Sequence, residues 1–204
     1  MKTRLIWIIM AIMISAMTAS AQKTDISNRD NVIYVENATA NPGEQIILSV
    51  QMNNTLAVRG FQFDLLLPDG ITVATDEDDF LMVELSTART TDKKMNYFDT
   101  ETLEDGSLRV LCNSSKAYTF DGNSGEVCTI TVNVASGLGG DFDINLNNVV
   151  LTDPDAQRYS IDGSQSVISV KEKDCDCGIL GDLNKDGKIS VADVMLLVKM
   201  VLAN

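Results

Sequence analysis

The sequence of 204 residues contains no histidine, and its single tryptophan, Trp7, lies within the first ten residues. Without histidine a Ser-His-Asp triad cannot form, and no local motif singles out another nucleophile or general base. Basic residues are also scarce, since 16 Lys and Arg stand against 29 Asp and Glu, for a formal net charge of −13. So acidic a chain repels phosphate backbones. We therefore predict a protein that is not an enzyme and has no nucleic-acid partner.

Long apolar stretches are also lacking, apart from Leu5–Met17. This stretch follows the basic residues Lys2 and Arg4 and precedes the small residues Ala19-Ser20-Ala21. It is shorter than the roughly 20 residues that span a bilayer, and the order is typical of a cleaved signal peptide. We predict a signal peptide over 1–21 and a flexible lead-in over 22–30. The mature chain, with no membrane span and no cysteine for lipid anchoring at its start, is expected to be extracellular, cell-surface associated or periplasmic.

All four cysteines lie after the signal peptide, where export permits disulfides: Cys112, Cys128, Cys175 and Cys177. The favoured pairing joins Cys112 to Cys128, between two strands predicted to be neighbours, and Cys175 to Cys177 in a small ring. Two alternatives stay open. Cys112 and Cys128 are buried free thiols, or cysteines form a zinc site, although their spacing fits no usual zinc pattern.

Short β-rich runs separated by turns fill residues 31–170. The clearest run, Arg59–Leu67, places Phe61, Phe63 and Leu65 on one face and Gln62 and Asp64 on the other. Further strands are predicted over Val32–Val35, Gln45–Met52, Phe80–Leu85, Ser107–Cys112, Glu126–Val134, Asp141–Leu151 and Tyr159–Val170. This spacing is typical of an all-β sandwich of jelly-roll or immunoglobulin-like type. A charged linker, 171–180, follows it.

After the linker, oxygen-bearing residues stand at alternate positions in a loop of twelve. The predicted metal ligands are Asp182, Asn184, Asp186, the Lys188 carbonyl, Ser190 and Asp193. Gly187 supplies the sharp turn, and Ile189 is expected to point inward. Calcium takes six to eight hard oxygen ligands, so the pattern predicts an EF-hand-like calcium loop. It ends in Asp where Glu is usual, which requires the following helix to approach more closely.

A helix is predicted directly after the loop, over Val191–Leu202. Ser190 stands at the N-cap position with Asp193 three residues later, as in a capping box. One stripe of the helix is apolar and contains Val191, Val194, Met195, Val198, Val201 and Leu202. A short helix cannot bury this stripe alone. We expect it to dock on the β domain, a second copy or another protein.

The segment GDLNKDGKISVADVMLLVKMVL resembles one dockerin repeat, the calcium-loop-and-helix unit of cellulosome-type assemblies. Asp182, Asn184, Asp186, Gly187 and Asp193 stand in that family's ligand pattern. Dockerins usually carry two repeats, whereas this chain has one, over 181–204. The resemblance implies partner contacts at the helix start and along the helix, at Val191, Ala192, Met195, Val198, Lys199 and Leu202.

The β region, 31–170, resembles a cohesin, the jelly-roll module that receives dockerins. The resemblance lies in ATANPGEQIILSVQM, VRGFQFDLLLPDGI, DGSLRVL and GEVCTITVNV. It implies an exported interaction or adhesion module of cohesin–dockerin type, in polysaccharide-degrading or surface assemblies. The implied partner is a dockerin- or cohesin-bearing protein, or a second copy.

Carbohydrate-binding modules share this strand pattern, so a carbohydrate-binding module of a polysaccharide-utilisation system is the alternative function. Such sites commonly use exposed aromatic platforms, for which Tyr97, Tyr118 and Tyr159 are the candidates, although each is also an ordinary sandwich tyrosine. The acidic run Asp76–Asp79 is interpreted as a solvated loop, with a second calcium site as the other interpretation.

Overall fold

The computed structural model describes residues 30–91, 93–171, 181–184 and 187–202. The predicted signal peptide, residues 22–29 of the lead-in and linker residues 172–180 lie outside these ranges. The strands are β1 Asn31–Val35, β2 Ala38–Ala40, β3 Gln45–Asn54, β4 Gly60–Leu66, β5 Ile71–Val73, β6 Val83–Leu85, β7 Tyr97–Thr102, β8 Leu108–Asn113, β9 Ser124–Val134, β10 Gly140–Thr152, β11 Arg158–Ser160 and β12 Gln165–Val170. One helix, α1 Val191–Leu202, follows. In the described part of the chain, no helix has the length and apolar character needed to cross a membrane.

The strands form two sheets. In the small sheet the order is β1-β3-β9-β5, with β6 also paired to β9. In the large sheet the order is β2-β12-β10-β4-β8-β7, with β11 also paired to β10. Pairing is antiparallel except between β2 and β12, which run parallel. The prediction of an all-β sandwich with a short C-terminal helix is therefore confirmed.

One side of the sandwich is closed by hydrogen bonds between the sheets. The chain passes from the small to the large sheet between β1 and β2. There Ser164 Oγ donates to the Ile33 carbonyl at 2.9 Å, and Ser166 Oγ donates to the Val35 carbonyl at 2.6 Å. These hydroxyls satisfy carbonyls of an edge strand that would otherwise lack a partner. On the opposite side β5 and β6 face β7 without a ladder between them, so the sandwich is open there.

The core follows the alternation of the sequence. Phe61, Phe63 and Leu65 are buried, as predicted, and the Phe61 and Phe63 rings stack with centroids 5.8 Å apart. Residues of the small sheet pack against them, among them Leu48, Val50, Met52, Ile130 and Val132. Two faces of apolar side chains, each spaced at every second residue, thus form a single core.

A β-bulge in β10 changes which of its residues face inward. The register with β4 shifts between Asn147 and Val150. Leu146, Val149 and Leu151 are buried, whereas Asn148 has φ of 50° and lies outside the core. Strict alternation from Leu146 would turn Asn148 and Val150 inward, so the extra residue keeps the amide out of the core.

Several strands differ from the prediction. β2, β5 and β7 were not predicted, because three-residue strands and a polar edge strand lack a clear alternation. Of Phe80–Leu85 only Val83–Leu85 forms a strand, and Phe80 is 70% exposed. Tyr159–Val170 divides into β11 and β12, with Gly163 between them. A Cβ at Gly163 would lie 1.9 Å from the Leu146 carbonyl oxygen, so the chain can approach β10 here only with glycine.

Cys112 and Cys128 are buried free thiols. The prediction that they join neighbouring strands is wrong, because Cys112 lies in β8 of the large sheet and Cys128 in β9 of the small sheet. Burial raises the pKa of the Cys112 thiol to about 12 and that of Cys128 well above its ordinary value. The alternative of buried free thiols is the one the structure adopts. Cys175 and Cys177 lie outside the described residues.

Candidate functional site

Two surfaces are candidates for function, and the first is the predicted calcium loop with its helix. The Asp193 carboxylate joins the two ends of this loop. Its Oδ1 accepts hydrogen bonds from the Leu183 and Asn184 amides at 2.9 and 3.2 Å, and its Oδ2 accepts one from the Ser190 amide at 2.8 Å. These bonds, that from Ser190 first, lower the pKa of the Asp193 carboxyl, whose side chain is buried.

The turn of the loop is formed as expected. The Asp182 Oδ2 atom accepts a hydrogen bond from the Gly187 amide at 2.7 Å, and Gly187 has φ of 80°, which favours glycine. Asp186, a predicted ligand between them, lies outside the described residues. Ile189 is 63% exposed, so the prediction that it points inward is wrong.

The oxygen atoms of the loop are of the kind that calcium prefers. Carboxylates at Asp182 and Asp193, an amide at Asn184 and a hydroxyl at Ser190 are all hard ligands, and the backbone conformation brings both ends of the loop together. Within the described ranges, no three His, Cys, Asp or Glu side chains form a group that could hold a metal ion. The donor types are those that calcium prefers, and the predicted ligand set also includes Asp186, which lies outside the described residues.

Helix α1 begins and ends where the sequence predicted. Ser190 Oγ accepts a hydrogen bond from the Ala192 amide at 3.2 Å, and the Asp193 carboxylate returns to the Ser190 amide, so the capping box is confirmed. The apolar stripe lies in solvent: Val191, Val194, Met195, Val198, Val201 and Leu202 are 49% to 81% exposed. Ala192 and Lys199 are exposed as well. All the predicted partner-binding side chains are therefore accessible.

The second surface, which the sequence did not reveal, is the outward face of β10, β4, β8 and β7. We call it the large-sheet face. At its centre the Asp64 carboxylate, whose side chain is only 4% exposed, lies opposite Arg109. Arg109 donates from Nε to Oδ1 and from Nη2 to Oδ2, both at 2.7 Å, and Asn148 Nδ2 donates to Oδ2 at 2.6 Å. The bulge in β10 brings Asn148 to this position.

The charges of this cluster stabilise each other. The Arg109 hydrogen bond holds the pKa of Asp64 below its ordinary value, and Asp64 raises the pKa of Arg109. Arg109 keeps 34% of its side chain exposed. A guanidinium fixed on one side and accessible on the other is prepared to bind an oxygen atom of a partner.

Apolar and acidic side chains surround this cluster on the large-sheet face. Tyr97 is 52% and Leu66 41% exposed, while Asp99 and Glu101 on β7 are exposed acidic residues at the edge. The face thus has a polar, charge-paired centre, with apolar and acidic side chains exposed elsewhere on it. The strand pattern had placed Asp64 outward, but its pairing with Arg109 depends on the register of two strands and that with Asn148 on the bulge.

The candidates for a glycan platform lie on separate elements. Tyr97 is in β7, Tyr118 follows β8, and Tyr159 is in β11, where its hydroxyl donates to Asp153 at 2.9 Å. This bond raises the pKa of Tyr159. In the acidic run, Asp76 Oδ1 accepts hydrogen bonds from the Asp78 and Phe80 amides at 2.9 and 3.0 Å. The run is therefore an exposed turn closed by its own backbone.

No protein-family model matches the sequence, and no curated protein matches it. Solved structures match the fold. The seventh ScaB type I cohesin of Pseudobacteroides cellulosolvens aligns with a TM-score of 0.55 at 19% identity over 69% of this chain and 92% of its own. A chain of the type I cohesin–dockerin complex Coh-OlpA-Doc918 from Clostridium thermocellum aligns with a TM-score of 0.57 at 15% identity, over 69% of this chain and 98% of its own. A non-cellulosomal cohesin from Archaeoglobus fulgidus aligns with a TM-score of 0.53 at 17% identity, over 71% of this chain and 94% of its own.

These matches show that the β-sandwich has a cohesin-like fold, as the sequence resemblance implied. At these identities the likeness extends to the fold alone. Several of the matched cohesins were solved in complex with dockerins.

Proposed function

We propose that this protein is an exported, non-catalytic interaction module of cohesin–dockerin type. The observation that carries the proposal is the cohesin-like fold, because its matched structures include cohesin–dockerin complexes. The absence of histidine supports a non-catalytic role. The partner is a dockerin- or cohesin-bearing protein, or a second copy of the chain, in a surface or polysaccharide-degrading assembly.

On the sandwich, the large-sheet face is the surface proposed to bind the partner. Arg109 and Asp64 form a rigid polar centre, so little side-chain entropy is lost when a partner binds there. Leu66, two residues from Asp64 on β4, and Tyr97, at the first position of β7, provide exposed apolar area on the same face. Aromatic residues and arginine, both present here, carry much of the binding energy at protein interfaces.

At the C-terminus, calcium is the proposed ligand of Asp182, Asn184, Asp186, the Lys188 carbonyl, Ser190 and Asp193. Its role is structural, since it would tie the two ends of the loop together beside the Asp193 carboxylate. The dissociation constant expected for such a loop outside the cell is on the order of 10⁻⁴ to 10⁻⁶ M. A loop held in this way presents α1 with its apolar stripe in solvent.

A test is the capture of partners by the mature chain, residues 22–204, with and without calcium. Immobilised dockerin- and cohesin-bearing proteins of the same genome serve as ligands in biolayer interferometry. The substitution Tyr97→Gln on the large-sheet face is expected to weaken binding about tenfold, within the range of interface anchors. Ile47→Gln, at a 66% exposed position of the small sheet, is the matched control and is expected to bind as the native chain does.

Absence of binding to every such protein, with and without calcium, would refute the proposal. Binding of soluble polysaccharide in the same assay, abolished by Tyr97→Gln, would instead favour a carbohydrate-binding module. We regard that alternative as weaker because the three exposed or half-buried tyrosines lie on separate elements.

A further inference from the structure

The chain leaves the sandwich close to an apolar groove. The last strand, β12, ends at Val170, which pairs with Gly140, and the Lys171 amide donates to the Ala40 carbonyl at 2.9 Å. Leu66, at the end of β4, pairs with Asn145, five residues from Gly140, and the chain then continues toward this same end of the sandwich, where the Ala135 amide donates to the Gly70 carbonyl at 2.9 Å. We call this end the exit end.

The groove lies at the exit end, on the open side of the sandwich between the two sheets. Its volume is about 470 Å³. Its apolar lining includes Leu66, Leu67, Ile71, Val73, Leu81 and Leu108, and its acidic lining is Asp69 and Asp105. Leu66, Leu67 and Leu81 are only half-buried or exposed, so they offer apolar surface that a docked segment would cover.

Helix α1 has complementary chemistry. Its apolar stripe is exposed over the full length of the helix, and Lys199 is the one basic residue among its side chains. A lysine beside an apolar stripe matches a leucine-lined groove that carries two carboxylates. An exposed apolar surface of this kind is normally covered in solution.

The geometry of the chain favours its own helix over that of another molecule. Strands β12 and β4 are separated by β10 alone, which is about 10 Å across the sheet, and Gly140 and Asn145 lie about 16 Å apart along β10, so Val170 lies about 19 Å from Leu66 at the end of β4. The nine residues 172–180 span up to about 30 Å when extended. A tether of this length gives an effective concentration in the millimolar range, far above that of a second copy at micromolar protein.

We propose that α1 docks in the groove at the exit end of its own sandwich. Its apolar stripe covers Leu66, Leu67 and Leu81, and Lys199 lies beside Asp69 or Asp105. Because Leu66 also belongs to the large-sheet face, the docked helix and a bound partner compete. This last point rests on the proposed function, whereas the docking itself does not. The docked helix lowers the apparent affinity for a partner by the fraction of molecules in which the groove is open.

A carbodiimide that joins lysine amines directly to carboxylates tests the docking. The mature chain is prepared in natural-abundance and ¹⁵N-labelled forms, mixed at 5 to 10 μM (about the concentration at which a weak dimer would be absent), and treated in calcium buffer. We expect peptides that link Lys199 to Asp69 or Asp105 within single molecules. Links of mixed isotope content would show that a second copy is the occupant and would overturn the proposal.

Paired substitutions in α1 test which side of the helix docks. Met195→Gln with Val198→Gln changes the apolar stripe, and glutamine retains good helix propensity. Because both substitutions remove apolar area that the docked helix would bury, the yield of the Lys199 links is expected to fall at least tenfold. Met200→Gln, on the opposite side of the helix, is the control and should leave the yield unchanged.

Amide exchange of residues 191–202 and 66–82, measured by mass spectrometry, reports docking independently of the cross-link. Exchange in both segments is expected to quicken in the double variant and not in Met200→Gln. Equal effects of the two variants, or no link from Lys199 to either carboxylate, would refute the docking. If the proposed function is wrong but the docking is right, the chain captures no partner while the Lys199 links still form.

Discussion

Asp64 and Arg109 lie directly opposite each other on β4 and β8 and share two hydrogen bonds of 2.7 Å. The carboxylate is almost fully buried, while the guanidinium reaches solvent. A buried carboxylate without a partner would cost several kcal/mol, so the outward face of the large sheet keeps this charge only because Arg109 and Asn148 satisfy it.

Replacing Asp64 should therefore destabilise the sandwich. Asp64→Asn removes one charge and leaves the Arg109 donors poorly matched, so we expect a loss of about 1–3 kcal/mol in the free energy of unfolding. Urea unfolding followed by fluorescence or circular dichroism measures it. Asp143→Asn, at an exposed position of β10, is the control, with an expected change below about 0.5 kcal/mol. Equal losses in the two variants would contradict the assignment.

The same pair predicts a dependence of stability on pH. The pKa of Asp64 is lowered in the folded protein, so its contribution is complete above the ordinary value of 3.8 and is lost as the pH falls toward the lowered folded value. Urea midpoints of the native chain should decline in this acidic range more steeply than those of Asp64→Asn. Parallel curves for the two proteins between pH 2 and 6 (the range set by about two units on either side of the carboxyl pKa) would contradict it.

The buried cysteines should be unreactive. Because burial raises the pKa values of Cys112 and Cys128, neither thiol forms the thiolate that attacks Ellman's reagent. A variant with Cys175→Ser and Cys177→Ser isolates this pair. We expect no reactive thiol in the folded variant and both thiols in guanidinium chloride. Reaction of the folded variant would show that the thiols are exposed. Absence of reaction in the unfolded variant would show that the two cysteines are joined in a disulfide.

Arg89 holds the other end of the sandwich together through backbone acceptors. It donates to the carbonyls of Met52, Asp121 and Gly122 at 2.9, 2.7 and 2.7 Å, and to Asn54 Oδ1 at 2.8 Å. Arg89→Met leaves these buried acceptors without a donor, and we expect a loss of about 2–4 kcal/mol, from the cost of unsatisfied polar groups. Thermal unfolding measures it.

The exposed residue Arg158 provides the comparison for Arg89. Arg158→Met removes the same charge but leaves no buried acceptor without a donor, so the melting temperature of this variant should stay close to that of the native chain. If both variants melt alike, the role given to the Arg89 hydrogen bonds is wrong.

Calcium binding is predicted to depend on the loop carboxylates. Calorimetric titration of the mature chain should show one site of weak affinity, and Asp182→Asn with Asp186→Asn should abolish its heat because two of the three ligand carboxylates lose their charge. Asp155→Asn, in an exposed loop of the sandwich, is the control and should titrate as the native chain does. If the native chain gives no calcium-dependent heat at millimolar calcium, the prediction of a calcium site is wrong.

The parts of the fold that follow local rules were predictable. Phe61, Phe63 and Leu65 stand at alternate positions, and alternate residues of a strand share the face that is buried. β4 and its core face were therefore predicted correctly. Ser190 and Asp193 form the helix cap that their spacing indicates. Both features depend on residues a few positions apart.

The remaining features depend on contacts between distant residues. The pairing of Asp64 with Arg109 requires a strand register, and the position of Asn148 requires a bulge. β7 is an edge strand whose inward residues Phe98 and Thr100 are only half-buried and whose other residues are exposed and mostly polar, so no clear apolar alternation marks it. Ile189 was expected to point inward because it is the apolar residue that would pack the loop. The sequence has a single such loop, and a side chain without a second loop to pack against stays exposed.

The parallel pairing of β2 with β12 determines how the sandwich resists a pulling force. Asn31 and Lys171 lie at opposite ends of the module, and β2 and β12 both run toward the exit end. Tension between Asn31 and Lys171 pulls β1 and β2 away from the exit end and pulls β12 toward it. The ladder from Ala38–Ile168 to Ala40–Val170 and the Ser166 bond to Val35 are then loaded together, in shear, rather than opened one after another. A tethered module built this way withstands mechanical load better than one whose terminal strands peel apart.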